Sequence, residues 1–87
     1  MDIQFSERAV KELSRLRPPS LQDRVVAKIK QYAVDPVSLG HQVKALAGRE
    51  GYRLRVGDIR VIFTLTGEAP HRVMSISNVR HRRDAYD

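Results

Sequence analysis

The spacing of the apolar residues changes from a helical to a strand repeat partway along the chain, and this change constrains the fold more than any other feature. Early in the chain, apolar residues recur every three or four positions in two stretches: Ala9, Val10, Leu13 and Leu16, then Leu21, Val25, Ile29 and Tyr32. From residue 52 onward they largely alternate with other residues. A period of 3.6 is typical of an amphipathic helix, and a period of two is typical of a strand with one buried face. The sequence therefore predicts two helices followed by a sheet.

Capping and breaking residues mark the ends of the two predicted helices. Ser6 is predicted to cap the first helix, which Pro18 and Pro19 end. Ser20, with Asp23 three residues later, resembles a capping box and is predicted to begin the second helix, which ends near Asp35 and Pro36. Because the connection between them is short, the two helices are expected to form a hairpin.

Turn-forming residues likewise separate five predicted strands. The Gly57-Asp58 step is short enough to be a tight hairpin between two of them. The predicted strands are residues 2–5, 43–46, 52–56, 59–66 and 72–79, followed by a tail that is expected to form one helical turn.

The order β-α-α-β-β-β-β predicts an α+β fold. In this fold the two-helix hairpin packs on one face of a twisted antiparallel sheet. A chain of 87 residues is expected to form one domain, residues 1–87, with a single core and no room for an enclosed cofactor cleft. Any functional site is therefore expected on an open surface.

The period of two assigns side chains to the two faces of this sheet. In residues 52–56, Arg53 and Arg55 alternate with apolar residues, so they are predicted to face away from the helices. Arg60 is predicted to share that open side. Residues 72–79 alternate less cleanly, which is typical of a central strand covered on both faces, and parity does not orient Arg80.

The balance of charge favours a polyanionic partner. The chain carries a formal charge of +6 and has a pI near 10.3, and every Lys or Arg after Lys44 is an arginine. Arginine presents a planar fork of donors suited to phosphate, although an arginine-rich genome would produce the same bias. No apolar run approaches the length of a membrane span, and the start does not resemble a signal peptide, so a cytoplasmic protein without membrane contact is expected.

The residues available for chemistry exclude several kinds of site. There is no cysteine, and neither metal-ligand spacing nor a phosphate-binding glycine motif is present, so no metal or cofactor is expected. Arg, His and Tyr without a carboxylate pair point to phosphate. Because RNA supplies its own nucleophile in the 2′-OH, such residues need only position it, move protons and stabilise the charged intermediate. The candidate residues are Arg53, Arg55, Arg60, Arg80, His81, Arg82, Arg83 and Tyr86.

Each candidate also has a simpler explanation. Arg53 and Arg55 are equally explained as solvated strand positions, His81 as a surface histidine, and Tyr86 as a packing residue for the tail. Arg60 stands in an otherwise apolar strand, where a cation is costlier, so its position favours a function.

Three stretches carry a resemblance to a known family. The segments LAGREGYRLRVGDIRVIFTLTG and ISNVRHRRDAY resemble the RelE/ParE superfamily of bacterial toxins, and FSERAVKELSRL is similar to the first helix of that superfamily. The resemblance spans nearly the whole chain. It implies the RelE-like fold of two helices against a twisted antiparallel sheet, which agrees with the order of elements predicted above.

The resemblance implies a toxin of a type II toxin-antitoxin pair, in the RelE-like branch. Such toxins cut mRNA in the ribosomal A site by metal-independent attack of the 2′-OH. By this resemblance Arg53 and Arg55 bind and activate the RNA, and Arg82 and Arg83 are grouped with them as RNA-binding residues. The implied catalytic residues are Arg60 and Arg80, which stabilise the phosphate, His81 as an acid or base, and Tyr86, which orients or activates the substrate.

The resemblance also implies partners and leaves rivals open. The expected partners are mRNA on the ribosome and a cognate antitoxin rich in acidic and apolar residues, with operator DNA contacted only through the antitoxin complex. ParE-like members of the superfamily instead inhibit DNA gyrase. A non-catalytic nucleic-acid-binding or co-repressor module is the second alternative.

Overall fold

The computed structural model describes residues 1–84 of the chain. Its elements are β1 (Asp2–Phe5), α1 (Glu7–Ser14), α2 (Pro19–Val34), β2 (Val43–Ala45), β3 (Tyr52–Val56), β4 (Ile59–Thr66) and β5 (Val73–His81). Short 3-10 turns occupy Pro36–Leu39 and Arg82–Asp84. The predicted α+β order is confirmed, and the bounds of β3 and β4 agree with the prediction residue for residue.

The five strands form one sheet in the order β1-β5-β4-β3-β2. Strands β2 to β5 pair antiparallel, as predicted. The prediction of a wholly antiparallel sheet is wrong for β1, which pairs parallel with β5 from Asp2 opposite Val73 to Phe5 opposite Ile76. Parallel partners need a long crossover, and the helices and the other three strands supply it between β1 and β5.

One helix start agrees with the prediction and the other does not. The Ser6 hydroxyl caps α1 by accepting a hydrogen bond from the backbone N–H of Ala9 at 3.0 Å. The predicted capping box at Ser20 and Asp23 is wrong, because α2 begins at Pro19 and Pro18 occupies the N-cap without a side-chain hydrogen bond. Proline suits the first helical position, since its fixed φ is already helical and its missing N–H would lack a helical partner anyway.

The core lies between the helix hairpin and one face of the sheet. Phe63 is fully buried at its centre, with its ring 5.1 Å from that of Tyr32 on α2 and 5.6 Å from that of Tyr52 on β3. The other fully buried large side chains are Val25, Ile29, Leu54, Ile59, Val61, Met74, Ile76 and Val79. The apolar sides of β3 and β4 therefore face the helices, as predicted from the alternation of β3 and from the open-side placement of Arg60.

A bulge explains the irregular alternation of β5. Ile62 pairs with Asn78 but Phe63 pairs with Ile76, so Ser77 is an extra residue that shifts the register. The shift brings Met74, Ile76 and Val79 to the core face although their sequence parities differ. The interpretation of this strand as covered on both faces is therefore wrong. The strand also continues two residues further than predicted, to His81.

The predicted tight hairpin joins β3 and β4. Val56 pairs with Ile59, so Gly57 and Asp58 alone form the turn. Gly57 has a φ of 58°, a left-handed conformation that favours glycine.

Within residues 1–84, neither helix combines the length and the apolar character that a membrane-spanning helix requires.

Candidate nucleic-acid interface

Three arginines stand directly opposite one another across three neighbouring strands. Arg55 on β3 pairs with Arg60 on β4, which pairs in turn with Arg80 on β5. We call these three residues the arginine row. The Cβ atoms of directly opposite residues are only about 4.5–5.5 Å apart, so neighbouring members of the row can contact the same bound anion.

The arginine row lies on the sheet face that points away from the core. Its members alternate along their strands with Leu54, Val61 and Val79, which are buried on the core face. Arg55 is exposed, whereas Arg60 and Arg80 are half-buried. The prediction that Arg53, Arg55 and Arg60 share the open face is confirmed. The bulge at Ser77 supplies the orientation of Arg80 that parity could not.

Two basic hollows flank Arg60. The first, about 300 Å³ in volume, we call the central hollow, and it is lined by Arg8, Leu46, Arg49, Arg53, Arg60, Ile62, Asn78 and Arg80. The second, about 350 Å³, we call the turn hollow, and it is lined by Arg55, Gly57, Asp58, Arg60 and Arg82. Because Arg60 lines both, a strand of linked phosphates crossing from one hollow to the other would pass over it.

Two of the arginines around the central hollow were not among the candidates. Arg8 reaches it from α1, and Arg49 reaches it from the loop before β3. Neither belongs to an alternating pattern, so nothing in the spacing of the sequence indicates that they approach the sheet. Their placement depends on how α1 and this loop pack.

Glu12 on α1 holds the end of β5. Its Oε1 accepts hydrogen bonds from the backbone N–H of Val79 at 3.0 Å and from Nδ2 of Asn78 at 3.3 Å. Its Oε2 accepts one from Nε of Arg80 at 3.3 Å. In the sequence Glu12 stands among the charged residues between the apolar positions of α1, so nothing in the sequence indicates that it contacts the sheet. Glu12 gains these partners because β1 pairs with the edge of β5, and α1, which comes next in the chain, lies beside the same strand.

His81 lies on the other side of the sheet from the arginine row. It pairs with Ile59 and follows Val79 by two residues, so it shares the core side with both. There it lines a cavity of about 490 Å³ under the helix hairpin, together with Leu16, Leu21, Arg80 and Arg83. Among residues 1–84, its buried Nδ1 has no hydrogen-bond partner. The expectation that His81 converges with the arginines on one open face is therefore wrong for the arginines of β3 and β4, whereas Arg80 lines the same cavity as His81.

Two of the three remaining candidates in the tail lie on different sides of the sheet. Arg82 lines the turn hollow beside Asp58, whereas Arg83 lines the cavity under the helix hairpin. The third, Tyr86, lies outside the described residues. The structure thus brings Arg53, Arg55, Arg60, Arg80 and Arg82 to the two basic hollows, and it brings Arg80 together with His81 and Arg83 in the cavity under the helix hairpin.

The open face is suited to holding phosphodiesters. Guanidinium groups stay protonated at all physiological pH values and present several donors each, which match phosphate oxygens in pairs. Among residues 1–84, no three His, Cys, Asp or Glu side chains are grouped so that they could hold a metal ion. The chemistry that this face offers by itself is therefore binding and neutralisation of negative charge.

Several solved structures share this fold over nearly their whole length. The YoeB/ParE toxin from Agrobacterium tumefaciens has a TM-score of 0.76 at 13% identity and covers 93% of this chain and 98% of its own. A chain of the archaeal RelE–RelB complex from Pyrococcus horikoshii OT3 has a TM-score of 0.73 at 26% identity, with 97% of each chain covered. A chain of the RelB–RelE antitoxin–toxin complex from Methanococcus jannaschii has a TM-score of 0.72 at 24% identity, covering 97% of this chain and 95% of that one.

Sequence comparison identifies the family. No curated protein matches the chain. The family model described as the ParE toxin of type II toxin-antitoxin systems matches residues 3–86, almost the whole sequence. The chain therefore belongs to this family, within the RelE/ParE superfamily of type II toxin-antitoxin toxins.

Proposed function

We propose that this toxin is a ribosome-dependent endoribonuclease that cuts translated mRNA in the A site by metal-independent attack of the 2′-OH. The observation that carries the proposal is the arginine row, with Arg60 between the two basic hollows. Guanidinium groups match phosphate oxygens in pairs, so a row of three on one face supports the binding of an RNA backbone.

The proposed reaction makes and breaks one bond each at phosphorus. The 2′-oxygen attacks the adjacent phosphate, the bond to the 5′-oxygen breaks, and a 2′,3′-cyclic phosphate remains. One proton leaves the 2′-OH and one is delivered to the departing 5′-oxygen. Negative charge accumulates on the phosphoryl oxygens in between, and we assign its stabilisation to Arg60 and Arg80. Preorganised donors of this kind contribute most to the rate where charge develops during the reaction.

The remaining residues of the open face are assigned to binding. Arg53 in the central hollow and Arg55 and Arg82 in the turn hollow would hold the phosphates on either side of the bond that is cut. These contacts would fix the register of the RNA without reading its bases. A ribosome would supply the unpaired, extended mRNA that such a shallow surface requires.

Proton transfer needs a residue other than these arginines, because guanidinium does not release its proton in proteins. We assign it to Tyr86, on the resemblance of the closing segment to RelE-like toxins. His81 was the other candidate, but it faces the cavity under the helix hairpin, which Arg80 also lines, and not the hollows that flank Arg60. We therefore leave His81 out of the proposed chemistry, and Arg83 out of the proposed RNA contacts.

Partners follow from the family and from the charge of the surface. Two of the similar structures are complexes of RelE with RelB, described in one case as antitoxin with toxin. We propose that a cognate antitoxin with an acidic and apolar segment neutralises this toxin in the cytoplasm, and that operator DNA is contacted only through that complex.

Gyrase inhibition is the second candidate function, because the matching family model is that of the ParE toxin. A ParE-like activity would act on DNA gyrase and would leave mRNA intact. A non-catalytic binding module, the third possibility, would bind RNA in a salt-sensitive manner and give no product.

The test is primer extension on a well-translated mRNA after brief induction of three forms of the protein. Wild type is compared with Arg60→Ala, and Arg72→Ala is the matched control because Arg72 is exposed near the opposite end of β5. We expect cuts confined to translated codons with wild type and with Arg72→Ala, and none with Arg60→Ala. A parallel assay follows gyrase supercoiling with the purified wild-type protein.

The outcomes separate the three functions. Growth arrest without cuts, together with inhibited supercoiling, would replace the nuclease proposal by gyrase inhibition. Neither arrest nor cuts would leave a binding module. Cuts that persist in Arg60→Ala would contradict the role assigned to the arginine row.

A further inference from the structure

We propose that Glu12 is a positioning residue that sets the orientation of Arg80 on the open face. The inference rests on the proposed function insofar as Arg80 acts on an RNA phosphate. The orientation itself is a property of the toxin alone and can be measured without RNA.

The hydrogen bonds of Glu12 anchor its carboxylate to β5. Its Oε1 is held from two directions, by the backbone N–H of Val79 at 3.0 Å and by Nδ2 of Asn78 at 3.3 Å. With Oε1 fixed to the strand, the plane of the carboxylate is fixed as well. Its Oε2 then meets Nε of Arg80 at 3.3 Å. The carboxylate is thereby anchored to β5 independently of the arginine that it holds.

The hydrogen bond to Glu12 uses one donor of the Arg80 guanidinium and leaves its other donors available. Nε is the donor closest to the stem of the side chain, so holding it restricts the swing of the guanidinium. The two Nη groups carry the remaining donors. Arg80 lines the central hollow together with Arg53 and Arg60, and it also lines the cavity under the helix hairpin together with Glu12. A ligand in the hollow therefore meets Nη groups whose direction is already set.

Partial burial strengthens the ion pair that holds Arg80. The side chain of Glu12 is 22% accessible, and that of Arg80 is 29% accessible. The attraction between the two groups is therefore stronger than in a fully solvated pair. Glu12 thus restricts the guanidinium of Arg80 to the position beside its carboxylate.

A positioning role predicts a specific kinetic change. Removing the charge of Glu12 leaves the toxin more basic, so binding of RNA should be equal or tighter. The chemical step should slow by about 10- to 100-fold, because a group displaced by about an ångström loses most of its effect. A residue that only stabilised the fold would instead reduce the amount of folded toxin and leave kcat per folded molecule unchanged.

Glu12→Gln is the informative variant. Its carboxamide oxygen can still accept from Val79 and Asn78, which preserves the contact between α1 and β5. Its amide group then replaces Oε2 as the neighbour of Arg80, and a donor faces a donor. The matched control is Glu7→Gln, which makes the same change of charge on the same helix at an exposed position.

The first measurement is the NMR signal of the Arg80 Nε–H in the free toxin, assigned by its loss in Arg80→Lys. We expect a resolved, slowly exchanging signal in wild type and in Glu7→Gln, and a signal lost to exchange with water in Glu12→Gln. An unchanged signal in Glu12→Gln would overturn the proposal. Thermal unfolding of each variant shows whether the fold is retained.

The second measurement compares kcat and KM for cleavage of mRNA on programmed ribosomes, with binding to a 2′-O-methyl RNA oligonucleotide as the ground-state probe. We expect Glu12→Gln to lower kcat about 10- to 100-fold without weaker binding, and Glu7→Gln to match wild type. An unchanged kcat, or a loss confined to binding, would overturn the positioning role. If wild type itself cuts no mRNA, the proposed nuclease function fails, and the NMR comparison still decides whether Glu12 orients Arg80.

Discussion

The two faces of the sheet are built on opposite principles. The core face carries Leu54, Val61 and Val79 across β3, β4 and β5, and the next row on the open face carries Arg55, Arg60 and Arg80. The first row lowers the free energy of folding by removing apolar surface from water. The second row removes little apolar surface from water and presents three guanidinium groups on one face instead. Its place on the sheet is therefore explained by what the arginines contact rather than by the core.

The largest expected effect is on the free energy of unfolding, and it distinguishes two neighbouring residues of β4 that point to opposite faces. Phe63 is fully buried between Tyr32 and Tyr52, so Phe63→Ala should lower the free energy of unfolding by about 3–5 kcal/mol. That is a large part of the roughly 5–15 kcal/mol by which small domains are stable. Ile62→Ala, on the open face, is the matched control and should cost clearly less. Urea unfolding measures both, and equal losses would show that the two faces do not differ as described.

The next effect concerns activity rather than folding. Arg60→Gln removes the charge between the two hollows, so cleavage should fall roughly 10²- to 10³-fold without unfolding of the protein. Ribosome-dependent cleavage and urea unfolding are measured on the same preparation. Arg72→Gln, at an exposed position away from both hollows, should change neither. A loss of activity explained by unfolding would remove the contrast between the faces.

Part of this contrast could be predicted from the sequence. The faces of β3 and β4 follow a period of two without interruption, so the placement of Arg53, Arg55 and Arg60 required no structure. The orientation of Arg80 did require it, because the extra residue at Ser77 reverses the parity of the strand after it. A bulge depends on how two strands align, and the residue type at position 77 does not predict one.

Tertiary packing accounts for what the sequence missed. Glu12 has the spacing of an ordinary exposed helix residue, and only the position of α1 beside β5 gives it Val79 and Arg80 as partners. His81 was grouped with its basic neighbours by sequence distance, although consecutive residues of a strand point to opposite faces. The role of Tyr86 stays a prediction.

A smaller effect, on the salt dependence of RNA binding, distinguishes the two arginines of the tail. Each phosphate contact to single-stranded RNA contributes about 0.7 to the slope of log K against log salt concentration. Arg82→Gln, in the turn hollow, should reduce that slope by about 0.7, whereas Arg83→Gln, in the cavity under the helix hairpin, should leave it unchanged. Binding to the 2′-O-methyl oligonucleotide at several salt concentrations measures both. Equal reductions would place Arg83 on the RNA as well.

The smallest effect belongs to the core face and appears only at high pH. Burial raises the pKa of Tyr32 above its ordinary value of 10.0, the nearby Tyr52 raises it further, and Arg72 opposes them. In the unfolded chain Tyr32 ionises at the ordinary value, whereas in the folded chain it stays neutral to higher pH. Its contribution is therefore fully present below about pH 10 and is lost as the pH rises through the folded pKa.

Tyr32→Phe isolates this contribution, because lysines and arginines titrate in the same range and are common to both proteins. The difference in unfolding free energy between wild type and Tyr32→Phe should be constant from about pH 7 to about pH 9 and should shift against wild type above about pH 10. A difference that stays constant through that range would mean that the Tyr32 hydroxyl is solvated in the folded protein. Water would then reach the core at Tyr32. The part of the core that excludes water would include Phe63 but would not extend to α2.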